Sequence, residues 1–484
     1  MSEPSALFDS SKNASQDSFR DAVKYIGLAL MLAWHYTLWF IPNIFSATEL
    51  MANNVTYSWL IMLGASVCAL FAIPLLCGRK RYLSSQRWLL WGVPIILCLG
   101  TLYLTLVGFR LDAPPLGAYV VAAILGFGSA IYWILWGELY ARRKMPFSIL
   151  HVGPIVAISL LVSLILATLL PSPFSSLWAA LLPLISGYAL IKISRSNKTL
   201  ASPRLLPAST TKEGIKSMIV ICLISFAASL SCYFLVAIIP WEALYFHDHS
   251  FTLGVMGGAV FMLIIAAISK IFPQKDSVFQ IFPLLLVLIV VAYALFLADE
   301  FFYLEAFIIT LAISSMMEIL LAMYFGILTA KGYVAPALAF GLSGGSIRAG
   351  ILAGNGWALY YENHLALAEA VTPETALFLM CLLAALLIPL VRKEYSIIKL
   401  TSDPPRESDL SVRCIAVAQE FSLSPRESEI MTLLARGYTA DAIAQKLVIS
   451  PHTVNTHIRH TYEKMSIHKR SELLNYINLH TTDY

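Results

Sequence analysis

The sequence predicts an all-α protein, in which a polytopic membrane bundle of six plus six helices precedes a small four-helix domain containing a helix-turn-helix. Hydrophobic residues make up 58% of the 484 positions and charged residues only 13%, a composition that excludes a soluble globular protein. The C-terminal segment 422–484 differs from the rest because it is polar and carries closely spaced helix-capping patterns.

Twelve apolar runs are long enough to cross the hydrocarbon of a bilayer, which takes about 20 residues of helix. Six lie in the half 22–193 and six in the half 217–391. In chain order the runs cover residues 22–45, 57–77, 88–109, 116–139, 147–170, 175–193, 217–239, 251–272, 279–298, 303–328, 334–359 and 374–391.

The distribution of Lys and Arg predicts the orientation of these spans, since cytoplasmic loops carry an excess of both residues. Segment 1–21 is polar, lacks a basic region and precedes a full-length apolar run, so we expect a cytoplasmic tail and not a cleaved signal peptide. With this tail inside, twenty-two Lys and Arg lie on the cytoplasmic side and only Arg110 on the other. We therefore expect a multi-pass protein of a bacterial plasma membrane with both termini in the cytoplasm.

The loop 193–216 is basic, rich in Ser, Thr and Pro, and divides the spans six and six. This arrangement resembles the major facilitator architecture, which implies two six-helix halves around a central cavity. The Gly-Arg-Lys sequence at 78–80, followed by Leu83, matches the second half of that family's loop signature, whereas Leu-Leu-Cys at 75–77 replaces its acidic first half. We expect a retained fold without efficient transport.

Ionisable residues inside the spans are candidates for ligand sensing, because each costs about 2.5–3.5 kcal/mol at the helix centre on insertion scales. Arg348 lies mid-span among five glycines, and Glu318 lies at comparable depth in the preceding span. Their placement fits a structural ion pair, a ligand-binding charge, or a pair that a ligand opens. His35 and His151 are further candidates, although each also fits a packing histidine.

Other buried polar and aromatic positions have two interpretations each. Glu138, near the inner end of its span, is expected to pair in solvent with Arg142 and Arg143, and a ligand-binding role is the alternative. Aromatic residues in the first and fourth spans fit either interfacial belts or an aromatic cavity. They are Trp34, Trp39, Tyr132, Trp133 and Trp136.

The sequence contains no phosphate-binding glycine loop, no nucleophile with an adjacent base, and no metal-ligand spacing among its seven cysteines. We therefore expect no metal, no cofactor and no enzymatic activity. Segment 392–421 is predicted to be a linker, because Asp-Pro-Pro-Arg-Glu at 403–407 breaks helical structure before a short helix leads into the C-terminal domain.

Three helix starts define the C-terminal domain. Ser-Pro-Arg-Glu at 424–427 is a capping box with proline at the first helical position, and Gly437 ends this helix. Thr439 caps a second helix, and Ser450, followed by proline, caps a third. Two short helices joined by a tight turn predict the helix-turn-helix.

The third of these helices has one apolar and one polar face. Apolar spacing directs Val454, Ile458, Thr461, Tyr462 and Met465 to the core. The opposite face presents His452, Asn455, Thr456 and Arg459. Asparagine matches adenine, arginine matches guanine with two hydrogen bonds, and the threonine methyl group can contact that of thymine. An ordinary solvated face is the alternative interpretation.

The segment closely resembles the DNA-binding domain of LuxR/NarL-type transcriptional regulators. The matching residues are Ser424, Pro425, Arg426, Glu427, Leu433, Leu434, Ala435, Arg436, Gly437, Ile443, Ala444, Leu447, Ile449, Ser450, Thr453, Val454, His457, Ile458, Tyr462, Lys464, Met465, Arg470, Glu472 and Leu473. Asn455 stands where the family usually has lysine, so the operator cannot be inferred from relatives.

This resemblance implies that the third helix enters the major groove of double-stranded DNA. The last helix, about 469–479, then pairs with a second copy through Leu473, Leu474 and Ile477. Residues flanking the groove-facing set are expected to contact phosphates. They are Lys446, Ser450, Thr453, Lys464 and Arg470.

Charge in the C-terminal domain is segregated. Residues 400–484 contain nine Lys and Arg against ten Asp and Glu, so the domain lacks the basic excess of many DNA-binding domains. Segment 446–470, however, has five Lys and Arg against Glu463 alone. We expect modest affinity for one domain and therefore a homodimer on DNA.

Together these features predict a membrane-bound one-component regulator of transcription. The membrane domain would sense an unknown small-molecule inducer and control dimeric DNA binding, with RNA polymerase as a further partner if the protein activates. One alternative is a transporter with an attached regulatory domain. A second is a C-terminal domain that only mediates protein contacts.

Overall fold

The computed structural model describes residues 25–45, 52–77, 82–110, 114–142, 149–195, 208–240, 249–271, 281–362, 365–401, 414–415 and 417–479. Within these ranges the regular secondary structure is helical and contains no strand, which confirms the all-α prediction. The chain divides into two compact units, residues 1–401 and 402–484, called the bundle and the head below.

The described part of the bundle contains twelve long helices. Eleven are long and apolar enough to cross a membrane, and α1, with 15 residues, is shorter. A π-helical turn, Leu104–Gly108, extends α3. The helices are α1 Ile26–Phe40, α2 Ala52–Cys77, α3 Arg87–Tyr103, α4 Pro115–Arg142, α5 Ile149–Leu169, α6 Phe174–Arg195, α7 Ala208–Ile238, α8 Ser250–Ile271, α9 Ile281–Ala298, α10 Tyr303–Ala330, α11 Pro336–Glu362 and α12 Leu365–Thr401.

The same packing pattern occurs in each half of the bundle. In the first half, α1 packs against α5 and α6, α2 against α4, and α3 against α4 and α6. Helices six positions later pair in the same way: α7 with α11 and α12, α8 with α10, and α9 with α10 and α12. Between the halves, α2 packs on α11 and α5 on α8. The two six-helix halves are therefore visible in the bundle's own contacts.

The glycine-rich helix α11 is continuous, so its glycines permit close approach and do not break it. A Cβ at Gly341 would collide with the backbone of Leu70 in α2, across the interface between the halves. Cβ atoms at Gly350 and Gly354 would collide with the backbone of α7. Helix α11 thus packs tightly on both halves, as small residues allow in membrane bundles.

The outer surface of the bundle is apolar, with large exposed side chains such as Leu75, Trp88 and Leu169. Such a surface requires lipid, and the chain is a multi-pass membrane protein. Three tryptophans expected either in interfacial belts or in a cavity, Trp34, Trp133 and Trp136, are instead fully buried in the bundle core. The apolar packing between helices therefore explains them better than an interfacial belt.

Several predicted segments lie outside the described residues: the tail 1–21, the loop motif 78–80, residues 196–207 of the loop 193–216, and the breaker at 403–407. Helix α12 continues to Thr401, so the first ten residues of the predicted linker 392–421 extend the last membrane helix.

The head has four named helices: α13 Pro425–Ala435, α14 Ala440–Leu447, α15 Pro451–Lys464 and α16 Arg470–Leu479. Helix α15 packs on α13 and α14, while α16 packs on α13. Their shared core is separate from that of the bundle and includes Ile430, Ile443, Val454 and Leu473. The head therefore has the means to fold by itself.

Val448, which ends α14 in the turn before α15, has left-handed backbone angles, φ 54° and ψ 48°, and is 90% exposed. This conformation is unfavourable for a β-branched side chain and much less so for asparagine. We expect Val448→Asn to raise the free energy of unfolding of the head fragment 402–484 by about 1 kcal/mol, measured by urea denaturation. Val454→Asn, at a buried position, should strongly destabilise the same fragment; an unstable Val448→Asn variant would contradict the assigned turn.

Candidate nucleic-acid interface and buried charge site

All three predicted helix caps of the head are present. The Ser424 Oγ atom accepts a hydrogen bond from the backbone N–H of Glu427 at 3.3 Å, and the Glu427 Oε2 atom accepts from the N–H of Ser424 at 2.7 Å. Thr439 accepts from Ala442 at 3.3 Å, and Ser450 accepts from Thr453 at 3.0 Å. Gly437 follows α13 with φ 98°, which confirms its role as the helix stop.

Helix α15 presents a buried and an exposed face, as predicted. Val454 and Thr461 are fully buried, and Met465 is nearly so. His452, Asn455 and Arg459 are exposed, whereas Thr456 is half-buried and its hydroxyl donates to the carbonyl of His452 at 3.0 Å. Arg459 has an exposed, loose contact with Glu463, with 3.8 Å between Nε and Oε1. The polar face can therefore reach base edges without disturbing the core.

Lys464, predicted to contact phosphate, also makes a contact within the head. Its Nζ atom donates to Glu427 Oε2 at 2.7 Å, so one carboxylate caps α13 and binds the last turn of α15. Partial burial alone raises the pKa of the Glu427 carboxyl, but hydrogen bonds from Lys464 and Ser424 outweigh it and lower the pKa to about 2. Lys464 therefore fixes the position of α15.

Arg470, also predicted to contact phosphate, makes a contact within the head as well. Its Nη2 atom donates to the carbonyl of Leu434 at 2.8 Å and thereby satisfies the C-terminal end of α13. Lys446 remains exposed beside the Tyr438 ring, with its Nζ atom 4.5 Å from the ring centroid. Ser450 and Thr453 are exposed at the start of α15, where helix N-termini favour anions.

The predicted pairing surface of α16 needs a correction. Leu473 is 0% and Ile477 1% exposed, because both side chains fill the core of the head. Neither can contact a second copy while the head is folded. Leu474 is half-buried and stays a candidate, together with the exposed Ser471 on the same face of α16.

In the bundle, the structure brings Glu318 of α10 and Arg348 of α11 together. The Arg348 Nη2 atom lies 3.3 Å from Glu318 Oε1, with the two side chains 5% and 7% exposed. A pair at this depth must be satisfied within the protein, because removing one partner would leave a charge in an apolar core.

The other half of the bundle holds this pair. Tyr36 of α1 donates to Glu318 Oε2 at 3.2 Å, and the Arg348 guanidinium lies over the Trp133 ring of α4, 5.3 Å from its centroid. Trp133 also donates to the carbonyl of Phe340 in α11 at 3.0 Å. Both charges come from the second half, and both aromatic partners come from the first.

The remaining sequence candidates separate into different environments. His35 packs against the rings of Trp34 and Tyr36 and lies within electrostatic range of Arg348. The side chain of His151 lies outside the described residues. Glu138 is fully buried and accepts from the backbone N–H groups of Leu83 and Ser84 at 3.2 and 2.8 Å.

The expectation of a solvated Glu138 pair was therefore wrong. The carboxylate caps the short 3-10 helix Leu83–Ser85 before α3, while Arg142 donates to the Ser84 hydroxyl at 2.9 Å. Sequence reasoning also missed the contact of Tyr36 with Glu318 and that of Glu427 with Lys464, although it predicted the helix cap that Glu427 makes. An acidic residue at the third helical position is a local signal for a cap, but no local signal reveals Lys464 as its partner.

Residues 421–477 match the family model described as bacterial regulatory proteins, luxR family. The oxygen regulatory protein NreC of Staphylococcus carnosus is 43% identical over 54 residues, which are 11% of this chain and 25% of that protein. A putative HTH-type transcriptional regulator of Mycobacterium bovis is 38% identical over 53 residues, 11% of this chain and 6% of that protein. The chain thus matches a quarter or less of these relatives, and the likeness concerns the head.

Among solved structures, the bundle is similar to a Major Facilitator Superfamily transporter, FucP, in the outward conformation. The TM-score is 0.47 with 9% sequence identity, covering 79% of this chain and 99% of that chain.

The double role of Glu427 predicts a pH dependence. Its pKa is 4.5 when unperturbed and about 2 in the folded head, so the stabilisation is fully present above about pH 4.5 and is lost as the pH falls toward 2. Lys464 is 41% exposed, and with allowance for solvent screening we expect Glu427→Gln to cost about 1–2 kcal/mol at pH 7. Urea denaturation of fragment 402–484 between pH 2 and 7 measures both effects.

Glu429→Gln is the matched control. Glu429 lies on the same helix and pairs with Arg426 at 2.6 Å, but both side chains are substantially exposed. Such a pair is worth roughly 0–1 kcal/mol. Equal losses of stability in the two variants would show that Glu427 does not join α13 to α15.

Proposed function

We propose that this multi-pass membrane protein, whose C-terminal head is a LuxR-family helix-turn-helix domain, is a one-component regulator of transcription. The bundle senses a small molecule and thereby controls how two heads pair on DNA. The observation that carries the proposal is that one chain contains both a LuxR-family helix-turn-helix domain and a membrane bundle with a buried ion pair. Residues from both halves of the bundle contact this ion pair.

The exposed face of α15 supports direct base reading. His452, Asn455 and Arg459 project from a helix whose other face is held by the core and by the Lys464–Glu427 contact. Asn455 and Arg459 supply the donor and acceptor patterns that distinguish adenine and guanine in the major groove. Thr456 contributes less, since it is half-buried and its hydroxyl is already bonded within the helix.

The electrostatics of the head support control through pairing. With Lys464 and Arg470 engaged inside the head, the remaining phosphate candidates are Lys446, Ser450 and Thr453. Few phosphate contacts give weak binding by one head, and two linked heads multiply their affinities. We place the pairing surface on the outer face of α16 around Leu474, with RNA polymerase as an additional partner if the protein activates.

Sensing requires a part of the bundle that can adopt two arrangements, and the contacts between its halves at the buried ion pair can serve as that part. A ligand shifts an equilibrium only through different affinities for two states, and the contacts of Tyr36 and Trp133 with the Glu318–Arg348 pair can be made or broken as the halves move. Helix α12 runs on to Thr401, which gives the bundle a direct covalent route toward the head. The excess of Lys and Arg on one side supports the proposal that both termini lie in the cytoplasm and that the membrane is the plasma membrane of a bacterium.

Replacing Asn455 and Arg459 together with alanine should abolish specific promoter binding. Each good base contact is worth about 1–3 kcal/mol, so the double change should weaken specific binding by roughly thirtyfold or more. Genome-wide occupancy mapping, with and without candidate inducers, and fluorescence anisotropy on a promoter found in this way measure the loss. Glu429→Gln, on the surface of α13, is the control expected to bind normally.

If occupancy and transcription survive this double change, the head does not read bases and acts through protein contacts. Lys446→Ala should instead weaken binding to all sequences alike and reduce the salt dependence by about one ion, because a phosphate contact carries no sequence information.

A flux measurement separates a sensor from a transporter. We expect the full-length protein in reconstituted vesicles to bind the inducer identified by occupancy mapping without accumulating it. The double variant Asn455→Ala with Arg459→Ala should also bind the inducer without accumulating it, because its bundle is unchanged. Robust uptake by this transcription-dead variant would overturn the pure sensor and favour a transporter with a regulatory head.

A further inference from the structure

In the buried charge site, some hydrogen-bonding atoms of the described residues have partners and one does not. Both carboxylate oxygens of Glu318 have partners, Oε1 with Arg348 at 3.3 Å and Oε2 with Tyr36 at 3.2 Å. Arg348 uses Nη2 for this pair, but its Nη1 atom is buried and finds no hydrogen-bond acceptor in the part of the chain that the structure describes. Each oxygen of the Glu318 carboxylate therefore has a partner, while the Nη1 atom of Arg348 has none among the described residues.

The position of the Nη1 atom depends on a glycine. A Cβ added at Gly344 would lie 2.9 Å from Arg348 Nη1 and 2.9 Å from Trp133 Nε1. The guanidinium therefore occupies space that only glycine leaves open on α11. Trp133 already donates its own N–H to Phe340, so it offers Arg348 its ring and no acceptor atom.

A second buried donor occurs nearby. The indole Nε1 atom of Trp59, on α2, is also without an acceptor among the described residues. Its ring packs against Tyr233 of α7, with 5.8 Å between the centroids. Tyr233 in turn lies within electrostatic range of both Tyr36 and Glu318. Tyr233 thus connects Trp59 with the ion pair, through one ring contact and one electrostatic interaction.

Aromatic rings line this region from both halves of the bundle. Phe40 contacts Tyr36 and Trp59, with centroid distances of 5.5 and 6.1 Å, and it also contacts Phe251 of α8 at 5.4 Å. Phe251 continues to Phe307 of α10 at 5.1 Å. Five helices from two halves therefore supply flat apolar surface beside two buried donors.

Leaving a buried donor unpaired is costly, most of all for a charged group, and a ligand that brings acceptors can remove this cost. We propose that the bundle binds a small organic acid with a planar, apolar body, whose carboxylate accepts from Arg348 Nη1 and whose body packs on the aromatic rings. This inference rests on the proposed sensor function and specifies its ligand class.

Binding of a carboxylate at Arg348 has a structural consequence. The new anion competes with Glu318 for the guanidinium, and Glu318 is the group that Tyr36 of the first half holds. An acid ligand therefore weakens a contact between the halves at the same time as it satisfies a donor. A neutral ligand of the same shape lacks the charge that draws Arg348 away.

The test uses the purified full-length protein and a panel of probes: benzoate, 4-hydroxybenzoate and 3-phenylpropionate, each beside its own amide. Binding is followed by the midpoint of thermal unfolding and by tryptophan fluorescence. We expect at least one acid to bind saturably at least tenfold more tightly than its amide. Failure of every acid to exceed its amide overturns the proposal.

Variants locate the site. The double change Arg348→Met with Glu318→Gln removes both charges without leaving one unpaired, and should weaken acid binding at least tenfold. Glu318→Gln alone frees Arg348 from its competitor and should strengthen acid binding by about tenfold, whereas a purely structural pair would lose stability without this gain. Acid binding that is unchanged in both variants contradicts the assignment.

Two glycines of α11 provide a matched comparison. Gly344→Ala displaces the guanidinium and should weaken acid binding several-fold, whereas Gly356→Ala adds a Cβ that meets nothing within 4 Å and should leave it unchanged. Equal effects of the two changes would contradict the site.

Promoter occupancy separates this inference from the proposed function. Acids that bind with the expected variant pattern but never alter occupancy would refute the sensor and leave the site standing. A response to a neutral compound that persists without Arg348 would refute the acid site and leave the sensor standing.

Discussion

A charge in the centre of an apolar bundle has to be neutralised and hydrogen-bonded by protein groups, and this requirement organises the bundle around Glu318 and Arg348. The second half contributes both charges, and the first contributes Tyr36 and Trp133. Neither half satisfies the pair alone, so their relative position and the state of the ion pair are coupled. The tight packing of α11 on α2 and α7 keeps this coupling within a narrow geometry.

The head uses one carboxylate in a comparable way. Glu427 closes the start of α13 and also holds Lys464 at the end of α15, so the placement of α15 depends on a helix cap two helices earlier in the chain. Arg470 performs a similar role at the other end of α13. Lys464 and Arg470, both predicted to contact phosphate, thus each make a contact that fixes the helices of the head.

Much of this organisation follows from local sequence. Apolar runs define the membrane helices, and the caps at Ser424, Thr439 and Ser450 involve residues three apart, so both are readable without a structure. The partners of Glu318 are different, since Tyr36 is 282 residues away. Lys464 and Arg470 likewise bind groups 37 and 36 residues earlier. The helical period places Leu473 and Ile477 on one face of α16, but only the packed head shows that this face points inward.

Helix α12 ends at Thr401 and the described head resumes at Cys414, so twelve residues connect them. Even a fully extended chain of that length reaches about 40 Å. Under the proposed function, this tether makes two heads meet by lateral diffusion of whole membrane proteins and not by encounters in the cytosol. A promoter would then have to reach the membrane to be bound, so the distance of a gene from the membrane would become part of its regulation.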